Sequence, residues 1–131
     1  YGEPTYRLHD ILWVCDRVRE ISSIPIRMDT NGHGNLIWGE DVAPLFRGRF
    51  DTVSISLNAI TAQEYVALCH PVQGEAAYQA MLDFAKEAKG YVPHVVFTVV
   101  DKGTAPEEIE ESRRIADSLG VKLRVRSYID S

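Results

Sequence analysis

Polar and flexible residues cluster at four points where a strand or loop is expected to end. They are Gly2-Glu3-Pro4-Thr5, the run Asp29-Thr30-Asn31 before Gly32 and Gly34, Asn58, and Asp101. Carboxylate, hydroxyl and amide oxygens accept hydrogen bonds from a ligand, and glycine allows a backbone to bend or approach closely. Ligands of parallel α/β sheets meet the loops at the carboxyl ends of the strands. The four points together predict one polar ligand site.

Each of these features also has a purely structural interpretation. Glycine-rich loops mostly form turns, and a histidine such as His33 in such a loop is more often exposed than a ligand. Asn58 can simply lead into the helix that Thr61 caps. Cys15 falls on an apolar helical stripe and is expected to be buried, while Cys69 ends another helix. The two cysteines do not form a C-x-x-C motif, and a disulfide between them is not expected in what resembles a cytosolic chain.

The bulk composition excludes several function classes. The chain has 131 residues and a formal net charge of −5, which fits one domain of a soluble protein without a basic nucleic-acid-binding face. No apolar run reaches the length of a membrane span, and the first residues carry no secretion signal. We therefore expect a cytoplasmic protein that binds neither nucleic acid nor membranes.

The elements that would position the candidate residues alternate along the chain. Thr61 with Glu64, and Thr104 with Glu107, form capping boxes at two helix starts. The patterns predict helices over 7–22, 39–46, 61–69, 74–90 and 104–120, and strands over 24–30, 51–59, 93–101 and 121–128. Strand and helix in alternation predict an α/β fold with a parallel sheet and a single domain over 1–131.

The predicted strands alternate between apolar and polar residues instead of being apolar throughout. In the strand at 51–59, Val53 and Ile55 oppose Ser54 and Ser56. Parallel strands buried on both faces are usually continuous apolar runs, and unpartnered polar groups are costly to bury. The pattern favours a partial (β/α) barrel with helices outside and a polar inner wall. An open antiparallel sheet with one wet face is the structural alternative, and an exposed sheet edge near residue 1 could support a homodimer.

The ordered set GEPT, a strand ending in DTNG and a strand ending in SLN resembles the radical S-adenosylmethionine superfamily over essentially all 131 residues. The likeness is nearest to its activating-enzyme-like members and to radical SAM proteins found beside TatD-type nucleases. The resemblance implies a partial (β/α)6, TIM-like barrel. It also implies a preceding C-x3-C-x2-C loop that binds a 4Fe–4S cluster, so the chain is expected to be N-terminally truncated, with the cluster ligands outside it.

The resemblance also implies roles for individual residues. The loop Gly2-Glu3-Pro4-Thr5 would receive the methionine ammonium, largely through backbone carbonyls, although Tyr1 stands where the family has glycine. The remaining cofactor-binding positions would contact the ribose, the methionyl end, the adenine or the carboxylate. They are Asp29, Thr30 and Asn31; Ser56 and Asn58; Thr98 and Val100; and Arg124 or Arg126.

The function implied is reductive cleavage of S-adenosylmethionine to a 5′-deoxyadenosyl radical, which abstracts hydrogen from an unknown substrate. Because this chain lacks the three cluster cysteines, it should be inactive by itself. One alternative is a non-catalytic α/β module that binds a small ligand or has a regulatory role. Another is a piece of a metal-independent aldolase-like barrel, which is weakened because no lysine stands in a Schiff-base position at a strand's carboxyl end.

Overall fold

The structure is a computed structural model that describes residues 3–57, 59–69, 74–101 and 106–127. These residues form five α-helices, four strands and two short 3₁₀ turns; the turn Pro4–Arg7 precedes the first helix, and the turn Ala43–Phe46 lies between the second helix and the second strand. The helices are α1 (Leu8–Ile21), α2 (Gly34–Trp38), α3 (Ala62–Cys69), α4 (Ala76–Ala88) and α5 (Pro106–Leu119). The strands are β1 (Arg27–Thr30), β2 (Thr52–Ser56), β3 (His94–Asp101) and β4 (Lys122–Ser127).

The four strands form one parallel sheet in the order β1-β2-β3-β4. Met28 lies beside Val53, which lies beside Val95, so the apolar positions of the first three strands are in register. The α/β class and the parallel sheet predicted from the sequence are confirmed, and the antiparallel alternative is wrong.

One face of the sheet carries the hydrophobic core. Its strand residues pack with residues of α1, α3, α4, α5 and the second 3₁₀ turn in a single cluster. Large side chains from that cluster with essentially no exposed surface include Phe46, Tyr65, Phe84 and Phe97. Burial of apolar surface on this face is the main favourable contribution to folding. The opposite face, which we call the open face, carries the alternating polar residues.

Asp51 fixes the start of the first strand pair. Its carboxylate oxygen Oδ2 accepts hydrogen bonds of 2.7 Å from the backbone N–H of Ile26 and 2.7 Å from the Arg19 guanidinium. The Ile26 N–H, followed by Arg19, lowers the pKa of Asp51 below its ordinary value. The C-terminal end of α1 is thereby tied to the beginning of β1 and β2.

One predicted helix is placed differently in the structure. The stretch 39–46 was expected to be helical, but α2 occupies Gly34–Trp38 and only Ala43–Phe46 forms a 3₁₀ turn. Gly39 ends α2 in a left-handed conformation with φ 68° and donates its N–H to the Asn35 carbonyl. A glycine in this conformation terminates a helix, and the sequence pattern alone had suggested that it begins one.

Candidate functional site

Three predicted site residues form one row across the open face. The register places Ser56 of β2 beside Thr98 of β3, and Thr98 beside Arg124 of β4. Both hydroxyl side chains are half-buried, whereas Arg124 is exposed. Because neighbouring strands lie about 4.8 Å apart, the row presents two hydroxyls and a guanidinium to the same side of the sheet.

Asp29 lies on the same face, one strand away from Ser56. The Arg27 guanidinium donates to Asp29 Oδ1 at 3.1 Å and to the Ser54 hydroxyl at 2.6 Å. The Asp29 side chain keeps 73% of its surface exposed. Its carboxylate is therefore available to a ligand, and Arg27 orients it. Arg27 is not among the site residues predicted from the sequence.

The open face has an excess of positive charge. Among the strand residues that the structure describes, it carries the cations Arg27, Lys122, Arg124 and Arg126 and the single carboxylate of Asp29. This excess contrasts with the net charge of −5 of the whole chain. Guanidinium groups bind carboxylates and phosphates in a bidentate manner, so the face is suited to an anionic group.

Glu3 ties the first 3₁₀ turn to the end of β1. Its carboxylate accepts a hydrogen bond of 2.9 Å from the Thr5 N–H, another from the Thr5 hydroxyl, one of 2.7 Å from the Thr30 hydroxyl and one of 2.7 Å from the Asn31 N–H. These four donors occupy most of the acceptor capacity of the carboxylate. The Glu3 side chain therefore positions the loop. The groups that the loop can still offer to a ligand are its backbone carbonyls.

The loop after β1 is held by its own side chains. The Thr30 hydroxyl, which is buried on the core face, accepts from the Gly32 N–H at 3.1 Å, and the Asn31 amide oxygen accepts from the His33 N–H at 2.9 Å. Gly32 has φ 82°, and a Cβ there would lie 2.8 Å from Met81 Cγ. The glycine is needed for both its backbone conformation and its contact with α4.

His33 and Tyr65 form a contact that the sequence analysis missed. Nε2 of His33 lies 2.6 Å from the hydroxyl of Tyr65, whose side chain is 1% exposed. Burial lowers the pKa of His33 below its ordinary value, and the Glu3 charge acts in the opposite direction. The imidazole was expected to be exposed, but it is half-buried and links the loop to α3. The two residues are 32 positions apart in the chain, and no local sequence pattern predicts their contact.

The structure thus divides the predicted site residues into two groups. Asp29, Ser56, Thr98, Val100 and Arg124 belong to the open face, and Arg126 lies beside Val100 in the register. Thr30 and Asn31 both donate hydrogen bonds to the Glu3 carboxylate at the end of β1, with Pro4 and Thr5 in the adjoining turn. Gly2 and Asn58 lie outside the described residues, as do the side chain of Asp101 and the capping threonine Thr104.

The described part of the chain carries neither a cluster of metal-ligating side chains nor a membrane-spanning helix. No group of three or more His, Cys, Asp or Glu residues within it could hold a metal ion. No helix among the same residues has the length and apolar character needed to cross a bilayer. Comparison of the chain with protein-family models, with curated proteins and with solved structures finds no match.

Proposed function

We propose that this chain is the S-adenosylmethionine-binding part of a radical SAM enzyme, and that its sheet belongs to a partial barrel whose inner wall is the open face. The observation that carries the proposal is the row Ser56, Thr98 and Arg124 on a sheet face that contributes nothing to the helix-covered core. This row and Asp29 supply an arginine, two hydroxyls and a carboxylate on one surface.

The chemistry of these residues fits the cofactor. The Arg124 guanidinium would hold the methionine carboxylate, and the Ser56 and Thr98 hydroxyls would bind polar groups of the nucleoside. The Glu3 carbonyl accepts a long bond of 3.3 Å from the Tyr6 N–H, and a carbonyl oxygen has a second lone pair that an ammonium group could use. Asp29 would bind the ribose hydroxyls or the methionyl end.

The cofactor, when bound beside a reduced 4Fe–4S cluster, supplies the radical that abstracts hydrogen from a substrate. The cluster requires three or four cysteine thiolates, and the sequence contains only Cys15 and Cys69. The role proposed for the residues of this chain is therefore to bind and orient the cofactor.

Calorimetric titration of the 131-residue chain tests the proposal with two ligands. S-adenosylmethionine has the carboxylate assigned to Arg124, whereas 5′-methylthioadenosine lacks the whole amino-acid portion. We expect Arg124→Ala to weaken binding of S-adenosylmethionine about tenfold or more, since hydrogen bonds to charged groups contribute roughly 1.5–3 kcal/mol. Binding of 5′-methylthioadenosine should change little.

Arg114→Ala is the matched control, because Arg114 is an exposed arginine on α5 whose ion pair is with Glu111. It should leave both affinities unchanged. Absence of S-adenosylmethionine binding at millimolar concentration would refute the proposal. Equal weakening of both ligands by Arg124→Ala would refute the role assigned to that residue.

The cation excess of the open face favours a second candidate function, a non-catalytic module that binds a small anion. Lys122, Arg124 and Arg126 would then act together on a carboxylate or phosphate. Titration with inorganic phosphate and with citrate separates the two functions. Tight binding of either anion without binding of S-adenosylmethionine would favour the module.

A further inference from the structure

Asn31 and Gly32 form the single Asn-Gly pair of the chain, since Asn35 precedes a leucine and Asn58 precedes an alanine. An asparagine followed by glycine is the sequence most prone to spontaneous deamidation. The glycine has no side chain to hinder the approach of its backbone nitrogen to the preceding side-chain amide, and its backbone adopts the conformations that ring closure needs. The most reactive asparagine of the sequence therefore lies in the loop after β1.

The reaction at this pair begins when the Gly32 nitrogen loses its proton to hydroxide or to a buffer base. The nitrogen then attacks Cγ of Asn31, a bond forms between the two atoms, and the side-chain nitrogen takes up a proton and leaves as ammonia. Water opens the resulting succinimide at either carbonyl and leaves aspartate or isoaspartate at position 31. Because the reaction needs only water and base, the surroundings of the two residues decide its rate.

The attacking nitrogen is held in its protonated form. Gly32 is buried, and its N–H donates a hydrogen bond of 3.1 Å to the Thr30 hydroxyl. The proton of that hydroxyl is itself donated to the Glu3 carboxylate at 2.7 Å. The hydroxyl can therefore accept a hydrogen bond from the Gly32 nitrogen, but it has no proton to offer that nitrogen after deprotonation. Both this bond and the nearby carboxylate charge oppose loss of the Gly32 proton.

The geometry of the pair is fixed as well. The Asn31 amide oxygen accepts a hydrogen bond of 2.9 Å from the His33 N–H, so the side chain is oriented within the loop. An added Cβ on Gly32 would lie 2.8 Å from Met81 Cγ and 3.2 Å from Ile55 Cγ2, which shows how closely the glycine packs on the core. Ring closure moves the Gly32 nitrogen towards the side chain and must disturb these contacts. The reaction consequently requires that the loop open first.

We propose that Asn31 is a latent deamidation site that the Thr30 hydroxyl keeps closed in the folded protein. Deamidation then proceeds only from the fraction of molecules in which the loop has opened and the Gly32 N–H is released. The isoaspartate product adds a carbon atom to the backbone between residues 31 and 32, for which the contact with Met81 leaves no room. A chain that has reacted therefore cannot close the loop again in the same way. The proposal does not depend on the proposed function.

Incubation of the 131-residue chain at mildly alkaline pH, followed by trypsin digestion and mass spectrometry, measures the reaction. Asn31 and Asn35 fall in the same tryptic peptide, 28–47, and fragmentation of the peptide tells them apart. We expect Asn31 to deamidate at a rate about tenfold lower or more in the folded chain than in the chain unfolded in urea. Thr30→Val, which keeps the shape but lacks the hydroxyl, should accelerate the reaction about fivefold or more. The exchange rate of the Gly32 amide hydrogen should rise by a similar factor.

Thr30→Ser is the matched control, because it keeps the hydroxyl and removes only a methyl group; its rate should stay within about threefold of the natural rate. Thr52→Val, at a half-buried threonine of β2, should leave the rate unchanged. Circular dichroism verifies the fold of each variant, and the comparison of the natural chain with itself in urea holds even where Thr30→Val does not fold. Equal rates in the folded and the unfolded natural chain overturn the proposal. A folded Thr30→Val variant that deamidates no faster than Thr30→Ser overturns it as well.

Discussion

The Thr30 hydroxyl donates a hydrogen bond of 2.7 Å to the Glu3 carboxylate and accepts one of 3.1 Å from the Gly32 N–H. This one side chain connects the first turn of the chain to the loop after β1. Its position on the core face shows why two adjacent residues of the strand differ in role, since Asp29 next to it points to the open face. Thr30 holds the loop, and Asp29 is left for a ligand.

Thr30→Val should lower the free energy of unfolding by about 1–3 kcal/mol, because a buried hydrogen-bond network loses its central hydroxyl while the shape is kept. Urea unfolding measures the loss. Thr52→Val, at a half-buried threonine of β2, is the control and should cost much less. Equal losses in the two variants would contradict the role of Thr30 as a link.

Gly32→Ala should cost more stability than Gly39→Ala. Both glycines have positive φ, 82° and 68°, so both substitutions carry the left-handed penalty of about 1–2 kcal/mol. Only at Gly32 would the new Cβ meet a neighbour, Met81 Cγ at 2.8 Å, while Gly39 has open space. We expect an additional loss of about 1–3 kcal/mol at Gly32 from overpacking. Thermal or urea unfolding of the two variants measures the difference. Equal losses in the free energy of unfolding would show that Met81 and α4 move aside without an energetic penalty.

The stability of the protein should depend on the titration of His33. Because burial lowers the pKa of His33 in the folded state, the unfolded chain takes up the proton first as the pH falls. The contribution of the neutral imidazole is complete above the unfolded pKa of about 6.5 and is lost as the pH falls below that value towards the folded pKa.

His33→Gln removes this titration and keeps a polar side chain beside Tyr65. The difference in the free energy of unfolding between pH 7.5 and pH 5.5 (about one unit on each side of the unfolded pKa) should therefore be smaller in the variant than in the natural sequence. Urea unfolding at both pH values measures it. Identical pH dependence in the two proteins would contradict a lowered pKa of His33.

The 131-residue chain should bind S-adenosylmethionine without cleaving it, even after anaerobic treatment with iron, sulfide and a strong reductant. With only Cys15 and Cys69, it lacks the thiolates that a cluster needs, and Cys15 is buried with a raised pKa owing to desolvation and the neighbouring Asp16. Chromatography for methionine and 5′-deoxyadenosine measures cleavage. Their formation by the purified chain would contradict the prediction.

The local features of the fold could be predicted where neighbours in sequence decide them. Cys15 was assigned to a buried helical stripe, and it is 3% exposed. Thr61 was assigned as a cap, and its hydroxyl accepts from the Glu64 N–H at 3.1 Å. The helix expected over 39–46 was wrong because Gly39 ends α2 instead of beginning a helix. The pattern of polar and apolar residues does not reveal the sign of a glycine's φ.

The α/β class, the parallel strands and a sheet with one apolar and one polar face are predictable from the amino-acid pattern, because a period of two or 3.6 residues indicates which side of an element is buried. The three-dimensional fold is what places Ser56, Thr98 and Arg124 in one row, joins Glu3 to Thr30 and Asn31, and brings His33 to Tyr65. These relationships join residues 26 or more positions apart, the separation of Thr98 and Arg124 being the smallest. Strand register and helix packing create them, and no local pattern encodes the distance between two such side chains.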